Sequence, residues 1–248
     1  SGGSVEGANR LVVASRLSIT QSLPIRLETQ IRQVAGVRDV TYGMWFGGIY
    51  RDPKDFFPNF SVAPNYFDVY GELEVAPDQL KRWQDTRTGA IVGESLAKDF
   101  GWKIGDTIPL QATIFPRGGS NDWPLQLVGV FHSKNTATAA NDERQLMMNW
   151  KYFDESNDYI KNQVSWYTVT LDNPEQSSRV AQAIDAMPEA EQQEEAWRYW
   201  KARALLAAAP AGPAGEPARR RGRALLAQVV SSSTFSKATF AALYSPIL

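Results

Sequence analysis

The sequence predicts an α+β fold, in which a split αβ subdomain carries an inserted, mostly β subdomain and is followed by a helical C-terminal segment. A strand and helix between Leu11 and Val34 are echoed by a second strand and helix between Val164 and Met187. The region between the two pairs is rich in aromatic and alternating apolar residues, as strands are. From Pro188 onward the composition shifts to glutamate, alanine and arginine, which is typical of helices.

The first strand and helix follow a segment with the composition of a linker. Residues 1–4, SGGS, resemble a flexible linker or a cloning scar. A strand is predicted over residues 11–19. A helix is predicted over residues 23–34, because its apolar residues recur every three or four positions and form one stripe, namely Leu23, Leu27, Ile31 and Val34. Gly36 ends this helix, and a second strand follows over residues 37–42.

An aromatic segment with two glycines, residues 45–50, leaves two interpretations open. Exposed aromatic side chains beside glycines often contact partners, which favours a binding loop. The other interpretation is a strand end or bulge whose rings lie in the core, and this is the one we favour. Residues 57–70 are also rich in aromatic side chains and are expected to contain a strand and a turn at Pro64 and Asn65.

Residues 89–110 form the most clearly patterned unit of the chain. An apolar run bounded by glycines predicts a short buried strand over residues 90–92. A two-turn helix over residues 94–100 follows, and Gly101 is placed to take the left-handed conformation that ends it. After a turn at Gly105, alternating apolar residues predict a strand with one apolar face. The unit contains no obvious chemistry.

The other elements of the predicted insert are shorter. Turn residues between two strand-like segments predict a long hairpin. A polar segment without periodicity predicts a mobile surface loop. The predicted elements are a helix over residues 77–86, a hairpin loop over 116–124, its return strand over 125–131, the surface loop over 134–144, a strand over 145–150 and a helical turn over 150–156.

The last segment rich in β-branched and aromatic residues, residues 164–171, predicts a strand. A helix that begins near Pro174 is predicted to follow it. From these elements we predict three divisions of the chain after the linker. Residues 5–70 together with 163–187 form the αβ subdomain, residues 71–162 form the inserted β-rich subdomain, and residues 188–248 form a helical tail of unclear origin. No function is assigned to the tail.

The overall composition excludes several classes of protein. Lysine and arginine number 26 and aspartate and glutamate 27, which gives a formal net charge of -1. Nucleic-acid binding is therefore not expected, because neutralising phosphates requires a concentrated basic surface. The absence of cysteine excludes disulfides and thiolate metal sites. No window of the sequence holds the eighteen apolar residues that a membrane span requires.

Few residues suggest catalysis or ligand binding. His132 is the only histidine of the chain, and we expect it to face solvent or to form a hydrogen bond. Asp122 beside Trp123 is the best candidate for a carboxylate of a glycoside hydrolase. Neither a dinucleotide fingerprint nor a phosphate loop occurs. We therefore predict no catalytic, cofactor-binding or metal-binding residues, and we interpret a basic run in the tail as a solvated helix face: Arg219, Arg220, Arg221 and Arg223.

Three motifs resemble the extracytoplasmic core domain of bacterial ABC-transporter permeases of the MacB and FtsX type. The sequence IRQVAGVRDV at residues 31–40 is similar to a helix-to-strand turn of that family, and LQLVGV at residues 125–130 is similar to a later strand. The resemblance covers roughly residues 7–187. Its main motif, G-E-x-L-A-x-x-x-G-x-x-x-G-D-x-x-x-L, falls on Gly93, Glu94, Leu96, Ala97, Gly101, Gly105, Asp106 and Leu110.

The resemblance implies a non-enzymatic domain on the outer side of an inner membrane, expected here as a soluble piece of a membrane protein. It implies a membrane-proximal αβ subdomain, and it implies that the domain relays movement from a cytoplasmic ABC ATPase in another domain or chain. A periplasmic adaptor and a homodimer are further possible partners. Two alternatives stay open: a secreted carbohydrate-active hydrolase or carbohydrate-binding protein, and an interaction scaffold that uses the helical tail at residues 188–248.

Overall fold

The computed structural model describes residues 9–14 and 22–187, together with residues 216, 217, 219, 220, 223 and 224. The chain up to Ala186 forms one compact unit. The predicted helical tail lies almost entirely outside the described residues. Among the described residues, no helix has both the length and the hydropathy needed to span a bilayer.

The compact unit is built on a large mixed sheet and seven short helices. The strands of the large sheet are β1 Arg10–Ala14, β3 Val37–Trp45, β4 Ile49–Tyr50, β5 Asn59–Val62, β6 Leu73–Val75, β7 Gly89–Gly93, β8 Thr107–Gln111, β9 Asp122–Ser133, β10 Leu146–Asn149 and β12 Trp166–Leu171. A separate small sheet contains β2 Leu23–Pro24 and β11 Gln163–Val164. The helices are α1 Leu27–Arg32, α2 Tyr66–Val69, α3 Pro77–Asp85, α4 Glu94–Phe100, α5 Ala139–Asp142, α6 Trp150–Ser156 and α7 Ser177–Asp185.

The order of the strands brings distant parts of the chain together. The sheet runs β1-β12-β3-β5-β10-β7-β9-β8-β4, and β6 pairs with β9 outside this path. Two of the pairings are parallel, β5 with β10 and β7 with β9, and the others are antiparallel. The centre of the sheet is therefore assembled from strands that do not follow one another in sequence.

Both faces of the central sheet are covered by apolar cores. Leu146 and Met148 of β10 point into a core on one face with α4 and α6, and Met147 points into a second core on the other face with α2 and α3. All three side chains are fully buried. A strand buried on both faces has no need of a polar position every second residue, which explains the continuous apolar sequence of β10.

The strand predicted over residues 164–171 is interrupted at Ser165: Val164 belongs to β11 in the small sheet, and the rest forms β12, which shares the large sheet with the first strand as expected. β1 pairs with β12 in antiparallel register from Arg10 opposite Thr170 to Ala14 opposite Trp166. β12 then pairs with β3. The division into an αβ subdomain and a β-rich insert at residues 70 and 162 stays a prediction, because the large sheet continues through both regions.

Local patterns predicted the unit around α4 well. The strand β7 is fully buried, α4 spans the predicted seven residues, and Gly101 ends the helix with φ of 67°. Gly93 is the last residue of β7 and directly precedes α4, and the backbone of Glu143 packs against it. A Cβ atom at Gly93 would lie 2.2 Å from the carbonyl oxygen of Glu143. This close approach explains why glycine joins the strand to the helix.

Two predicted elements were wrong in their details. The helix predicted to begin at Leu23 begins at Leu27, because residues 23 and 24 pair with β11 as a short strand instead. The Leu23 side chain is buried, so it fills part of the predicted apolar stripe without being helical. The polar segment at residues 134–144 contains α5 and is anchored, because Ser133 Oγ and Thr138 Oγ1 both donate hydrogen bonds to Asp142 Oδ2.

The packing of Gly93 gives a stability prediction with a matched control. We expect Gly93→Ala to lower the free energy of unfolding by about 2 kcal/mol, because the new methyl group overlaps backbone atoms that cannot move aside alone. Gly71→Ala is the control, since the nearest atom to its Cβ position is 4.0 Å away. Urea unfolding of both variants measures the difference. Equal stabilities would contradict the packing described here.

Candidate functional site

Four partly exposed aromatic rings form a continuous patch, which we call the aromatic surface: Trp45, Phe56, Phe60 and Trp166. Trp45 and Phe60 lie opposite each other on β3 and β5, with ring centroids 5.2 Å apart. Phe60 also contacts Trp166 at 5.5 Å, and Trp45 contacts Phe56 at 6.1 Å. Trp45 and Phe56 are 39% and 50% exposed. Large exposed aromatic clusters of this kind are common at sites that contact partners.

The aromatic surface depends on a glycine beneath it. Trp166 of β12 lies opposite Gly43 of β3, and its indole ring extends across that strand toward Phe60 on β5. A Cβ atom at Gly43 would lie 2.4 Å from Cζ2 of Trp166. The missing side chain at Gly43 therefore lets rings from β12 and β5 touch across the strand that separates them.

Both interpretations of the aromatic segment at residues 45–50 apply, each to different residues. Phe46 and Tyr50 are buried in the core, while Trp45 is exposed. The ring of Phe46 contacts Trp123 at 5.1 Å and Phe153 at 6.2 Å. The segment thus anchors itself in the core by two rings and presents the third to solvent.

The hydrolase candidate Asp122 and Trp123 does not form an open site. Trp123 is fully buried and donates a hydrogen bond from Nε1 to the carbonyl oxygen of Phe115, at 2.8 Å. Asp122 is exposed in the hairpin, where its carboxylate accepts hydrogen bonds from Gln111 Nε2 and Ser120 Oγ. A sugar ring needs an accessible aromatic face, and this tryptophan cannot offer one.

His132 lies at the end of β9 and contacts α4. Its Nδ1 atom is 3.4 Å from Glu94 Oε2, and the same oxygen is 2.9 Å from Lys98 Nζ. The hydrogen bond from Lys98, and after it the nearby His132, hold the pKa of Glu94 below its usual value. Each of these side chains is at least one-third exposed, so they contribute little to stability. The prediction of a hydrogen-bonded histidine fits this geometry.

An open depression of about 270 Å³ lies beside α1. Its lining is mixed, and the guanidinium of Arg32, one of the lining residues, pairs with Glu28 Oε1 at 2.9 Å and Asp39 Oδ1 at 2.5 Å. Burial raises the pKa of Tyr42, which also lines it, to about 12. The guanidinium of Arg32 is therefore already paired with two carboxylates.

The basic run of the tail is described only in part. Arg219 Nε and Arg223 Nη2 form ion pairs with Glu216, at 3.1 and 2.5 Å, whereas Arg221 lies outside the described residues. Exposed pairs on one stretch of chain fit the predicted solvated face better than an anion site. The predicted absence of catalytic, cofactor-binding and metal-binding residues stays a prediction.

Comparison with known proteins gives a family and a related fold. The family model described as the MacB-like periplasmic core domain matches residues 3–187. The periplasmic region of MacB from Actinobacillus actinomycetemcomitans aligns with a TM-score of 0.52 and 15% identity, over 72% of this chain and 81% of that one. The extracellular domain of the noncanonic ABC-type transporter YknZ from Gram-positive bacteria aligns with a TM-score of 0.47 and 15% identity, over 69% and 86%. No curated protein sequence matches the chain. The predicted α+β class is confirmed.

The contact between Trp166 and Gly43 can be tested by a double-mutant cycle. We expect Gly43→Ala to lower the free energy of unfolding by about 1 kcal/mol, because the methyl group displaces a partly exposed ring. In the Trp166→Ala background the same change should cost less, since the ring is gone. Denaturant unfolding of the four proteins gives the coupling energy. Strictly additive effects would show that the two residues do not interact.

Proposed function

Because the chain belongs to the family of MacB-like periplasmic core domains, we propose that it transmits movement from the membrane-spanning part of an ABC-transporter permease to the space outside the membrane. The family resemblance predicted from the sequence is thereby confirmed. In this proposal a cytoplasmic ATPase, in another domain or chain, supplies the movement, and the domain itself catalyses no reaction. The membrane-proximal part is the region around β1 and β12.

The observation that carries the proposal is the pairing of β1 with β12. β1 lies near the start of the matched residues 3–187, and β12 leads into α7 at their end. The two strands are adjacent, antiparallel and hydrogen-bonded. Two strands near the two ends of the matched region that adjoin in one sheet move together when the segments attached to them move, so a displacement would enter the domain at one place.

The continuous sheet supports transmission by a rigid body. From β1 the hydrogen-bonded order passes without interruption to β8 and β4 at the far edge. Two pairings within this order join the two predicted subdomains: β5 with β10, where both faces are covered by the apolar cores, and β8 with β4 at the far edge. Close packing on both faces resists bending. We therefore expect the far edge to move with β1 rather than swing relative to it.

Distances between spin labels test this transmission. This chain has no cysteine, so within it labels attach only at the introduced residues, Val12→Cys on β1 and Thr107→Cys on β8, both at exposed positions; cysteines elsewhere in the parent permease are replaced by serine. We expect their separation in the parent permease, reconstituted with its ATPase, to change by less than about 2 Å on ATP binding, as in a rigid body. The distance from Thr107 to a label at the membrane surface should change by more than that.

Either of two results would count against rigid transmission. A large change between positions 12 and 107 would indicate a hinge within the sheet. An unchanged distance between Thr107 and the membrane surface, under conditions of ATP turnover, would show that the domain does not move with the transport cycle.

We further propose that the aromatic surface contacts a partner outside the membrane, with a periplasmic adaptor or a second copy of the permease as candidates. Its support is the exposure of Trp45 and Phe56 beside ordered neighbours. Desolvated tryptophan and phenylalanine rings are frequent anchors of protein interfaces. The aromatic surface lies near the C-terminal end of β3. The other end of β3, at Val37, pairs with the end of β12 that is membrane-proximal in this proposal.

A photo-crosslinking amino acid at position 45 of the parent permease tests this contact in cells. We expect a defined cross-linked product that mass spectrometry identifies as an adaptor or a second permease chain. The control is position 159, because Tyr159 is exposed to the same extent, 40%, but follows α6. Products of the same size and yield at both positions would mean that the aromatic surface is not a specific contact.

A further inference from the structure

The parallel pairing of β7 with β9 brings two metal-binding side chains together. Gly93 at the end of β7 lies in register with Phe131 on β9. The next residues, Glu94 and His132, are therefore neighbours, and Glu94 Oε2 lies 3.4 Å from His132 Nδ1. A carboxylate oxygen and an imidazole nitrogen are thus placed side by side at the carboxyl ends of two parallel strands.

Glu143 brings a third donor from a distant part of the chain. Its carbonyl oxygen accepts a hydrogen bond from the amide of Leu96 at 3.1 Å, and its backbone packs on Gly93. These contacts fix the segment after α5 against the start of α4. The donor atoms of Glu94, His132 and Glu143 all lie within 4.8 Å of one another. Backbone contacts therefore hold these three residues next to one another.

The carboxylate of Glu143 is buried without a cation. The residue is 7% exposed, and its oxygens accept hydrogen bonds from the amide of Ser133 at 2.9 Å and from Ser95 Oγ at 2.8 Å. Both partners are neutral, and no lysine or arginine in the described part of the chain forms an ion pair with it. A buried negative charge is costly unless a cation compensates it. The lack of a positively charged partner for this buried carboxylate is the observation that points to a ligand.

We propose that Glu94, His132 and Glu143 bind a divalent transition-metal ion, with zinc as the best fit. Zinc accepts imidazole nitrogen and carboxylate oxygen in tetrahedral sites and leaves a fourth position for water. Calcium and magnesium prefer sites made of oxygen alone. This site is separate from the transmission of movement proposed above, and it stands or falls independently of it.

The surrounding side chains are compatible with an ion at this position. Lys98 Nζ, which contacts Glu94 Oε2 at 2.9 Å, belongs to an exposed side chain that can turn away into solvent when an ion takes its place. Ser95 and Ser133 hold the carboxylate of Glu143 in its orientation, as the outer partners of metal ligands usually do. Asp142 accepts from Ser133 Oγ and supports the same segment. Binding would join α4, β9 and the segment after α5.

Zinc binding by the complete chain tests the proposal. After treatment with a chelator, the protein is titrated with zinc chloride by calorimetry, and cobalt is used in parallel for its visible absorption in tetrahedral sites. We expect one zinc ion per chain at the site and a higher melting temperature with zinc. Because His132 is the only histidine, its imidazole NMR signals should shift on addition of zinc.

Variants of the ligands and one matched control decide the outcome. His132→Ala, Glu94→Gln and Glu143→Gln should each weaken zinc binding at least about tenfold while the circular dichroism spectrum is unchanged. Asp99→Asn is the control, because this exposed carboxylate of α4 pairs with Arg144 and is not part of the cluster. Zinc binding that is undetectable at millimolar concentration, or equally strong in His132→Ala, would overturn the proposal.

Discussion

The hydrogen bonds of the buried Asn59 side chain are the polar interactions on which the centre of the fold depends. Its Oδ1 atom accepts from the amide of Gly48 at 2.7 Å, and its Nδ2 atom donates to the carbonyl oxygens of Gly48 and Phe57 at 2.9 and 2.8 Å. A buried amide without these partners would be strongly unfavourable. Asn59 begins β5, which pairs with β10, so one side chain ties the aromatic segment before it to the middle of the sheet. Gly48, which this attachment holds, lies between the two buried rings of Phe46 and Tyr50 in the sequence.

The sequence predicted well those features that depend on neighbouring residues. The helix α4, its left-handed end at Gly101 and the buried strand before it require only a local apolar pattern and one glycine. Prediction from the sequence failed where pairing with a distant segment of the chain determined the local structure. The segment at Leu23 had the periodicity of a helix, yet pairing with β11, about 140 residues later, makes it a strand. No local pattern can contain the position of that partner.

The candidate sites show the same difference between local and distant information. Trp45 could be singled out from the sequence because its segment is rich in aromatic residues. The contact between Trp166 and Gly43 could not, because it joins two strands that are far apart in the sequence. His132 was noticed because it is the only histidine. Its neighbours became visible only with the register of β7 and β9 and with the docking of Glu143, which belonged to a segment predicted as a mobile loop. Parallel pairing cannot be inferred from either strand by itself, so the cluster had no signal in the sequence.

The central position of β10 has a consequence for how the protein acquires its structure. β5 and β7 leave the ribosome long before residues 146–149, yet each needs β10 to complete its hydrogen bonds in the native sheet. Strands β5 and β7 therefore each keep one edge unpaired until the chain has been synthesised through residue 149. Such non-local pairing slows folding and exposes edges that can aggregate. A domain of this topology would benefit from a chaperone that covers β5 and β7 during synthesis or secretion.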